Sequence, residues 1–308
     1  MLIITFKKKK LRRAVQALIQ LSVELNPDCF VGSRHSNSLI ALVSILTVII
    51  AVSQIVFYFD ETQYSRWTDI EILGNHSNLT RRIYLDIYHA SVVFTYTSTA
   101  VAVCTISILL FNIYITLKNI IKCYYGKLQN MLHQPHPSSD EIFISITFYR
   151  RIVYCTEAIE DAISMCSFFL YGAIITWMLN SFNVITVQET VYHNRLTYIF
   201  VAIVISMAFA VFVLLTVSAS SVILEDESLK HLVVHFTEKP FLFNRAFYHL
   251  VCHVKMLHYF NLLSKVIRGY KLHLTGGRMF IIERSVLLTI TGLVLSYGVL
   301  LFQFGNEI

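Results

Sequence analysis

The polar residues of the last apolar stretch are the ones best placed to do chemistry. Residues 279–304 form a segment of 26 residues (304 − 279 + 1) whose only charges are Glu283 and Arg284. At about 1.5 Å of rise per residue, such a helix can cross a bilayer core of roughly 30 Å. A glutamine amide facing lipid lacks hydrogen-bond partners, so its face should meet protein or water. Steps of four and three place that face on Thr289, Leu293, Ser296, Leu300, Gln303 and Glu307.

Two histidine pairs have a spacing that suits a metal site. His231 and His235, like His249 and His253, are four residues apart and share a helical face. Neither pair carries the glutamate of a metalloprotease helix, so a solvated cytosolic helical bundle is the preferred interpretation. The six cysteines fall in predicted spans or cytosolic segments, so no disulfide framework is expected. No metal, cofactor or enzymatic activity is expected.

The composition indicates a membrane protein. Of 308 residues, 56% are hydrophobic and 14% charged, and the mean hydropathy is +0.61. The net charge of +6 is scattered between apolar spans, without a nucleic-acid-binding motif. The predicted fold class is all-α: a polytopic helical membrane protein with five transmembrane helices and long cytosolic helical extensions. Membrane lipid is an expected partner, and nucleic acid is not.

The chain divides into four predicted segments. Residues 1–36 form a basic cytosolic leader with an amphipathic helix over 14–25. Residues 37–224 form a bundle of four spans (37–59, 87–117, 163–186 and 196–222) with a cytosolic connection at 118–162. Residues 140–186 can be one long helix after a flexible proline-containing linker at 133–139. Residues 225–278 form a cytosolic helical anchor, and 279–308 form the C-terminal transmembrane helix.

Charge and sequons predict the topology. Asn75 and Asn78 are glycosylation acceptors in the polar loop 60–86, which favours an extracellular loop. With that loop outside, only Arg66, Arg81, Arg82 and Arg195 of the 25 basic residues are extracellular, leaving 21 (25 − 4) inside. We therefore expect a multi-pass plasma-membrane protein with a cytosolic N-terminus and an extracellular C-terminus.

The end of the chain resembles a known family. Ser296-Tyr297, five apolar or small residues and Gln303-Phe304 are similar to the closing signature of insect-type gustatory receptors, Thr-Tyr-(five hydrophobic)-Gln-Phe, with serine in place of threonine. Residues 274–288 resemble the run that leads into the same helix. These are seven-transmembrane chemoreceptor channels related to insect odorant receptors. Residues 7–27 resemble the linker after the family's second span, so the chain is expected to match the last five spans.

The resemblance implies a ligand-gated, non-selective cation channel for sensory detection of a tastant or nutrient. It implies a homo- or hetero-tetramer with related receptors, built around the last helix and conducting cations. The pore and gate residues are then Ser296, Leu300, Gln303 and Glu307, with a leucine ring that closes by dewetting and an acidic ring at the mouth. Tyr297 and Phe304 would pack the helix against its neighbours. In the other interpretation, the polar face packs against a helix of the same subunit.

The family's ligand pocket lies in the outer half of the membrane. The polar and aromatic residues there are Gln54, Tyr58, Tyr88, His89, Tyr96, Trp177, Asn180 and Tyr198. They could instead form a lipid-facing aromatic belt.

Other functions remain possible. The chain could be a non-channel membrane receptor or a transporter, or a non-functional truncated receptor fragment. A G-protein-coupled receptor needs the opposite topology, and a transporter needs intramembrane ionisable residues, of which the spans hold almost none.

Overall fold

The computed structural model describes residues 2–25, 78–134, 137–187, 195–238 and 250–305. These residues are almost entirely helical, which confirms the all-α prediction. The helices are α1 (Leu2–Leu25), α2 (Asn78–His133), α3 (Ser139–Val187), α4 (Arg195–Glu238), α5 (Leu250–Gly269) and α6 (Arg284–Gly305). A two-stranded hairpin of β1 (Thr275–Gly276) and β2 (Phe280–Ile281) lies between α5 and α6.

The chain is a multi-pass membrane protein. Within the described residues, three helical segments are long and apolar enough to cross a membrane: Thr97–His133, Ser139–Phe182 and Val201–Phe236, with mean hydropathies of 2.2, 1.8 and 2.7. Arg284–Leu300 is a shorter apolar helix. The predicted span 37–59 lies outside the described residues, so the count of five remains a prediction.

The last helix begins later than predicted. The apolar run from residue 279 predicted one continuous helix, but Met279 lies in the hairpin turn, Phe280 and Ile281 form β2, and α6 begins at Arg284. The difference arises because Phe280 and Ile281 pair with the strand before them, and hydropathy cannot distinguish an apolar strand from an apolar helix.

The first helix also differs from its prediction. It begins at Leu2 rather than near Ala14, so the basic run 7–13 is helical. Ala14, Leu18, Leu21 and Leu25 are buried at steps of four, three and four, which is one helical face. Each buried leucine stabilises the contact by about 1.5–3 kcal/mol. Near that face, Lys10 pairs with Asp161 (2.9 Å) and Glu24 pairs with Arg151 (2.6 Å), so α1 runs antiparallel to α3.

A short break separates α2 from α3. Pro137 lies between the two helices and has no backbone N–H, so it cannot continue the helical ladder. Ser138 then caps α3: its hydroxyl accepts from the N–H of Asp140 (3.2 Å) and of Glu141 (3.3 Å), and the Glu141 carboxylate accepts from the Ser138 N–H (3.1 Å). This reciprocal capping box sets the start of the 49-residue helix. The predicted long helix 140–186 is confirmed.

Two compact units share these helices. The first comprises Met1–Arg34, Leu110–Phe169 and Leu215–Val286. Its core is a stripe of buried apolar residues that includes Leu117, Ile121, Ile142 and Ile146. Tyr124, in the same core, donates to the backbone oxygen of Ser145 (3.1 Å), and burial raises the pKa of this phenol well above its ordinary value.

The second unit comprises His35–Leu109, Leu170–Leu214 and Leu287–Ile308. Ala100 and Cys104 of α2 pack with Met207 of α4, and Trp177 of α3 packs against this cluster. Tyr171 of α3 and Phe212 of α4 make an edge-to-face contact, with 5.6 Å between their ring centroids. Small residues therefore allow the apolar helices of this unit to pack closely.

One cysteine departs from the sequence-based expectation. Cys123 of α2 is disulfide-bonded, whereas Cys104, Cys155 and Cys166 are not in disulfides. No disulfide framework was expected because no cysteine lies in a predicted outer loop. Folding brings together cysteines that are distant in sequence, which the position of each cysteine alone does not reveal.

The docking of α1 on α3 can be tested at Cys155. This thiol is buried, its Sγ lies 3.9 Å from the Ala14 carbonyl oxygen, and burial raises its pKa to about 11. At pH 7.5 the thiol should resist alkylation, with reactivity increasing as the pH approaches 11. Leu18→Glu, at a position only 2% exposed, should detach α1 and accelerate Cys155 labelling at least tenfold, as measured by peptide mass spectrometry.

Ile19→Glu is the matched control because the neighbouring Ile19 is 43% exposed and can carry a charge without undocking the helix. Buried Cys104 of the second unit should label equally slowly in all three proteins. Rapid labelling of Cys155 in the parent protein, or equal labelling in both variants, would contradict this packing.

Candidate functional site

The segment that leads into α6 is a tight hairpin. Thr275 pairs with Ile281 and Gly276 with Phe280, and the Met279 N–H donates to the Gly276 carbonyl (3.0 Å). Gly277 (φ 64°) and Arg278 (φ 61°) are both in the left-handed region, as in a two-residue type I′ turn. A non-glycine residue costs about 1–2 kcal/mol in this conformation, so other contacts must hold Arg278 there.

Those contacts come from one turn of α3. The Glu160 carboxylate accepts from the N–H of Thr275 (3.1 Å) and from its hydroxyl. The Ser164 carbonyl accepts from the Gly277 N–H (2.8 Å), and the Ser164 hydroxyl accepts from the Arg278 N–H (3.0 Å). The turn is therefore bound mainly through its own backbone donors, which the left-handed residues direct towards α3.

Glycine is required at the centre of this contact. A Cβ at Gly277 would lie 3.1 Å from the Cβ of Phe168, and the positive φ disfavours any side chain. A Cβ at Gly276 would overlap the Phe280 ring across the hairpin. Gly277 therefore disfavours any larger residue, whereas a side chain at Gly276 would require the Phe280 ring to move.

A second carboxylate binds the same segment from α4. Asp226 is buried, with its side chain 3% exposed, and accepts from the Tyr149 hydroxyl (3.2 Å) and the Leu272 N–H (3.3 Å). Lys230 neutralises it from one turn further along α4. Burial and the negative charge of Asp226 both raise the pKa of Tyr149 far above its ordinary value, so the phenol stays a neutral donor.

We call this set the C-terminal clamp: Glu160, Ser164 and Asp226 together with the segment 272–278 that they bind. Leu272, Leu274 and Ile282 are buried around it and add apolar contacts. No sequence motif marks these residues, and the contacts join positions 46 to 115 residues apart. The clamp ends six residues before α6 begins (284 − 278), so it fixes the chain shortly before that helix.

The two faces of α6 have opposite surroundings. Val294 is 2% exposed, and a Cβ at Gly298 would lie 3.2 Å from the Phe182 ring, so this face packs on α3. Ser296, Leu300 and Gln303 are exposed, on the opposite side of the helix. The face predicted from the sequence is therefore exposed within the part of the chain that the structure describes.

The remaining motif residues are placed less fully. Tyr297 is 41% exposed. The side chain of Phe304 and the whole of Glu307 lie outside the described residues.

The predicted pocket residues are only partly placed. Trp177 is half-buried against the cluster of Ala100, Cys104 and Met207, whereas Tyr88 and Asn180 are exposed. Gln54 and Tyr58, and the side chains of His89, Tyr96 and Tyr198, lie outside the described residues. Of the two glycosylation acceptors, Asn75 lies outside them and Asn78 is the first residue of α2. Trp177 is thus the predicted ligand residue with a defined packing environment.

A groove of about 280 Å³ lies elsewhere, between α1 and α3. Gln20, Arg150 and Tyr154 are among its lining residues. All of its lining belongs to the first unit, whereas Trp177 and Asn180 belong to the second. The groove is also small for a ligand pocket and lies in the other unit, so it is not the predicted tastant site.

The described part of the chain shows no arrangement of side chains that suits a metal ion. No group of three or more His, Cys, Asp or Glu side chains there could hold a metal ion. His231 and His235 are exposed on α4, and the side chains of His249 and His253 lie outside the described residues.

Comparisons with known proteins find similarity in structure but not in sequence. No family model matches the chain, and no curated protein sequence matches it. The structure of the insect olfactory receptor OR5 from Machilis hrabei aligns with a TM-score of 0.51 at 13% identity, covering 94% of this chain and 80% of that one. The same receptor in complex with eugenol aligns with a TM-score of 0.54 at 12% identity, covering 97% and 82%.

The chain therefore has the fold of an insect olfactory receptor. This confirms the expected insect chemoreceptor relationship at the level of the fold. The gustatory family remains an expectation from the C-terminal residues.

The clamp predicts a specific loss of stability. Glu160→Ala leaves the Thr275 donors without their acceptor, which costs about 1–3 kcal/mol. The midpoint of thermal unfolding in detergent should fall by several degrees, on the order of 5 °C. Glu157→Ala is the matched control, because Glu157 is exposed one turn earlier on α3.

Thr275→Val should lower the midpoint less, since its backbone N–H remains. The double variant should lose less than the sum of the two single losses, because both remove one shared contact. Equal midpoints for Glu160→Ala and Glu157→Ala would exclude the clamp.

Proposed function

We propose that this chain is a gustatory-receptor-like chemoreceptor: a ligand-gated, non-selective cation channel of the plasma membrane that detects a small tastant or nutrient. The insect olfactory receptor fold and the C-terminal sequence signature support this proposal from independent directions. The fold neighbour with bound eugenol makes a small organic molecule a reasonable class of ligand.

The exposed face of α6 carries the proposal. Ser296, Leu300 and Gln303 lie on a side of an apolar helix that is exposed among the residues that the structure describes. A polar amide on a membrane helix is stable only if protein or water meets it. Several copies of α6 around a common axis would supply both, with water in the centre and partner subunits at the sides. A homo- or hetero-tetramer is the assembly that we propose.

In such a tetramer, each residue on this face would form a ring of four side chains. The order of these rings along the helix gives each one a role. Leu300 would form the apolar constriction, which stops ion flow by excluding water. Gln303, one turn further out, offers amide oxygens to a partly dehydrated cation. Glu307 would form an acidic ring at the extracellular mouth, which concentrates cations and repels anions.

The clamp offers a route from ligand to gate. We place the ligand in the outer half of the second unit, beside Trp177 on α3. The same helix carries Glu160 and Ser164, which hold the hairpin directly before α6. A ligand that binds better when α3 is shifted favours that position by its difference in affinity. The shifted helix would move the hairpin and with it the base of α6.

Substitutions on α6 test the pore. Leu300→Ser should raise basal current because a hydroxyl ring stays hydrated. Leu295→Ser is the matched control, since Leu295 is 57% exposed and Leu300 50%, but Leu295 lies on a different side of the helix. Gln303→Ala should alter the permeability ratio of Na⁺ to K⁺. Glu307→Lys should lower cation conductance severalfold, most strongly at low salt because salt screens surface charge.

These variants need surface expression checked with an extracellular tag and currents recorded with and without a chemical panel. If the variants reach the surface with the parent's leak, selectivity and conductance, the pore lies elsewhere. Absence of any current from the parent under the whole panel would favour a non-channel receptor, a transporter or a non-functional fragment.

Trp177 tests the ligand site. Trp177→Ala removes the large side chain that packs on Ala100 and Cys104, and should shift the dose–response midpoint of an active compound at least tenfold. Phe169→Ala is the control, because Phe169 is an exposed aromatic residue on the same helix. Equal midpoints in both variants would place the ligand away from this cluster.

A further inference from the structure

Two cations share a single carboxylate beside the C-terminal clamp. Lys10 Nζ lies 2.9 Å from one oxygen of Asp161, and the Arg278 guanidinium lies 3.2 Å from the other. The lysine and arginine side chains are 66% and 73% exposed. Asp161 is shared by both cations, and each of them is exposed enough to keep donors that face outward.

The neighbouring turns of α1 extend this positive surface. Lys9, Arg12 and Arg13 are exposed on the side of α1 opposite its buried face. That buried face and the Lys10–Asp161 and Glu24–Arg151 pairs hold α1 in place along α3. We call Lys9, Lys10, Arg12, Arg13 and Arg278 the basic patch.

The basic patch lies at the boundary between the charged and the apolar parts of α3. Asp161 is the last charged residue of α3 before a stretch that stays uncharged to the end of the helix. Arg284, six residues after Arg278 (284 − 278), is likewise the last charge before the apolar part of α6. The first residues of α1, 2–6, are apolar apart from one threonine and directly precede the basic run. An apolar end followed by a cationic segment is typical of a helix that lies at a membrane surface.

We propose that the basic patch is a binding site for the phosphate headgroups of anionic phospholipids in the adjoining leaflet. By the distribution of charge along the chain, this is the cytosolic leaflet. Lysine and arginine side chains supply multiple N–H donors, and arginine can bind two phosphate oxygens at once. The attraction is local, because salt screens exposed charges beyond about 10 Å.

Lipid binding at this site would act on the clamp. Arg278 is both a member of the basic patch and a residue of the left-handed turn that Ser164 binds. A headgroup that draws Arg278 or Lys10 away from Asp161 changes the forces on the hairpin before α6. The lipid composition of the leaflet would thereby change the forces on the C-terminal clamp.

The site can be tested by binding, without any current measurement. The full chain, purified in a neutral detergent, is titrated with dioctanoyl phosphatidylserine or dioctanoyl phosphatidylcholine, and the dissociation constant is measured by microscale thermophoresis. Lys9→Gln/Arg12→Gln should weaken phosphatidylserine binding by about fivefold per charge, or about 25-fold together. This variant keeps both ion pairs to Asp161, so the fold is preserved.

Lys127→Gln/Arg150→Gln is the matched control, because it removes the same charge from exposed positions away from the membrane boundary. Arg150 lies 11 residues (161 − 150) before Asp161 on α3, about 16 Å along the helix and beyond the screening length. The control should bind phosphatidylserine like the parent, and phosphatidylcholine should bind all three proteins weakly and equally.

Three results would overturn the proposal. If both double variants bind phosphatidylserine equally more weakly than the parent, the attraction depends on net charge and not on the basic patch. Equal affinity for phosphatidylcholine and phosphatidylserine would indicate apolar solvation of the chain. Displacement of the lipid by an equal concentration of inorganic phosphate would indicate a site for the free anion rather than for a lipid surface. None of these outcomes depends on channel activity, so the lipid site and the proposed function stand or fall separately.

Discussion

Two carboxylates that bind backbone N–H groups hold the segment 272–278, which leads into the last helix of this protein. Glu160 accepts from Thr275 and buried Asp226 accepts from Leu272, so residues on α3 and α4 hold the same short segment. A carboxylate removed from water must keep its hydrogen bonds, and these bonds are stronger than those between neutral groups. The segment leads through β2 into α6, so these contacts fix the chain shortly before that helix starts.

The helices and the face of α6 could be predicted because they depend on local periodicity. The uncharged stretch of α3 and the proline-containing break before it predict a long helix close to the observed Ser139–Val187. The steps of three and four that join Ser296, Leu300 and Gln303 place them on one side of any helix, whatever its neighbours. Periodicity does not show which side of the helix is buried. The packing of Val294 and Gly298 in the structure shows it.

The clamp and the hairpin could not be predicted in the same way. Glu160 and Thr275 are 115 residues apart in the sequence. A glutamate next to an apolar stretch is also what an ordinary membrane boundary looks like in a sequence. Phe280 and Ile281 extend an apolar stretch, so hydropathy assigns them to the following helix although they form a strand. The fold is shared with an insect olfactory receptor at 13% identity, which shows how little of it resides in particular residues. The helical patterns survive such divergence, whereas pairwise contacts must be found in the structure.

The clamp also bears on how the protein is made. Synthesis proceeds from the N-terminus, so α3 and α4 are complete before the segment 272–278 leaves the ribosome. Until then the Glu160 carboxylate lacks its Thr275 donors, and a surface shaped for the hairpin stands uncovered beside Phe168. Arrival of the segment 272–278 supplies these donors and covers this surface. A polypeptide that ends before Thr275 would leave the Glu160 carboxylate without them.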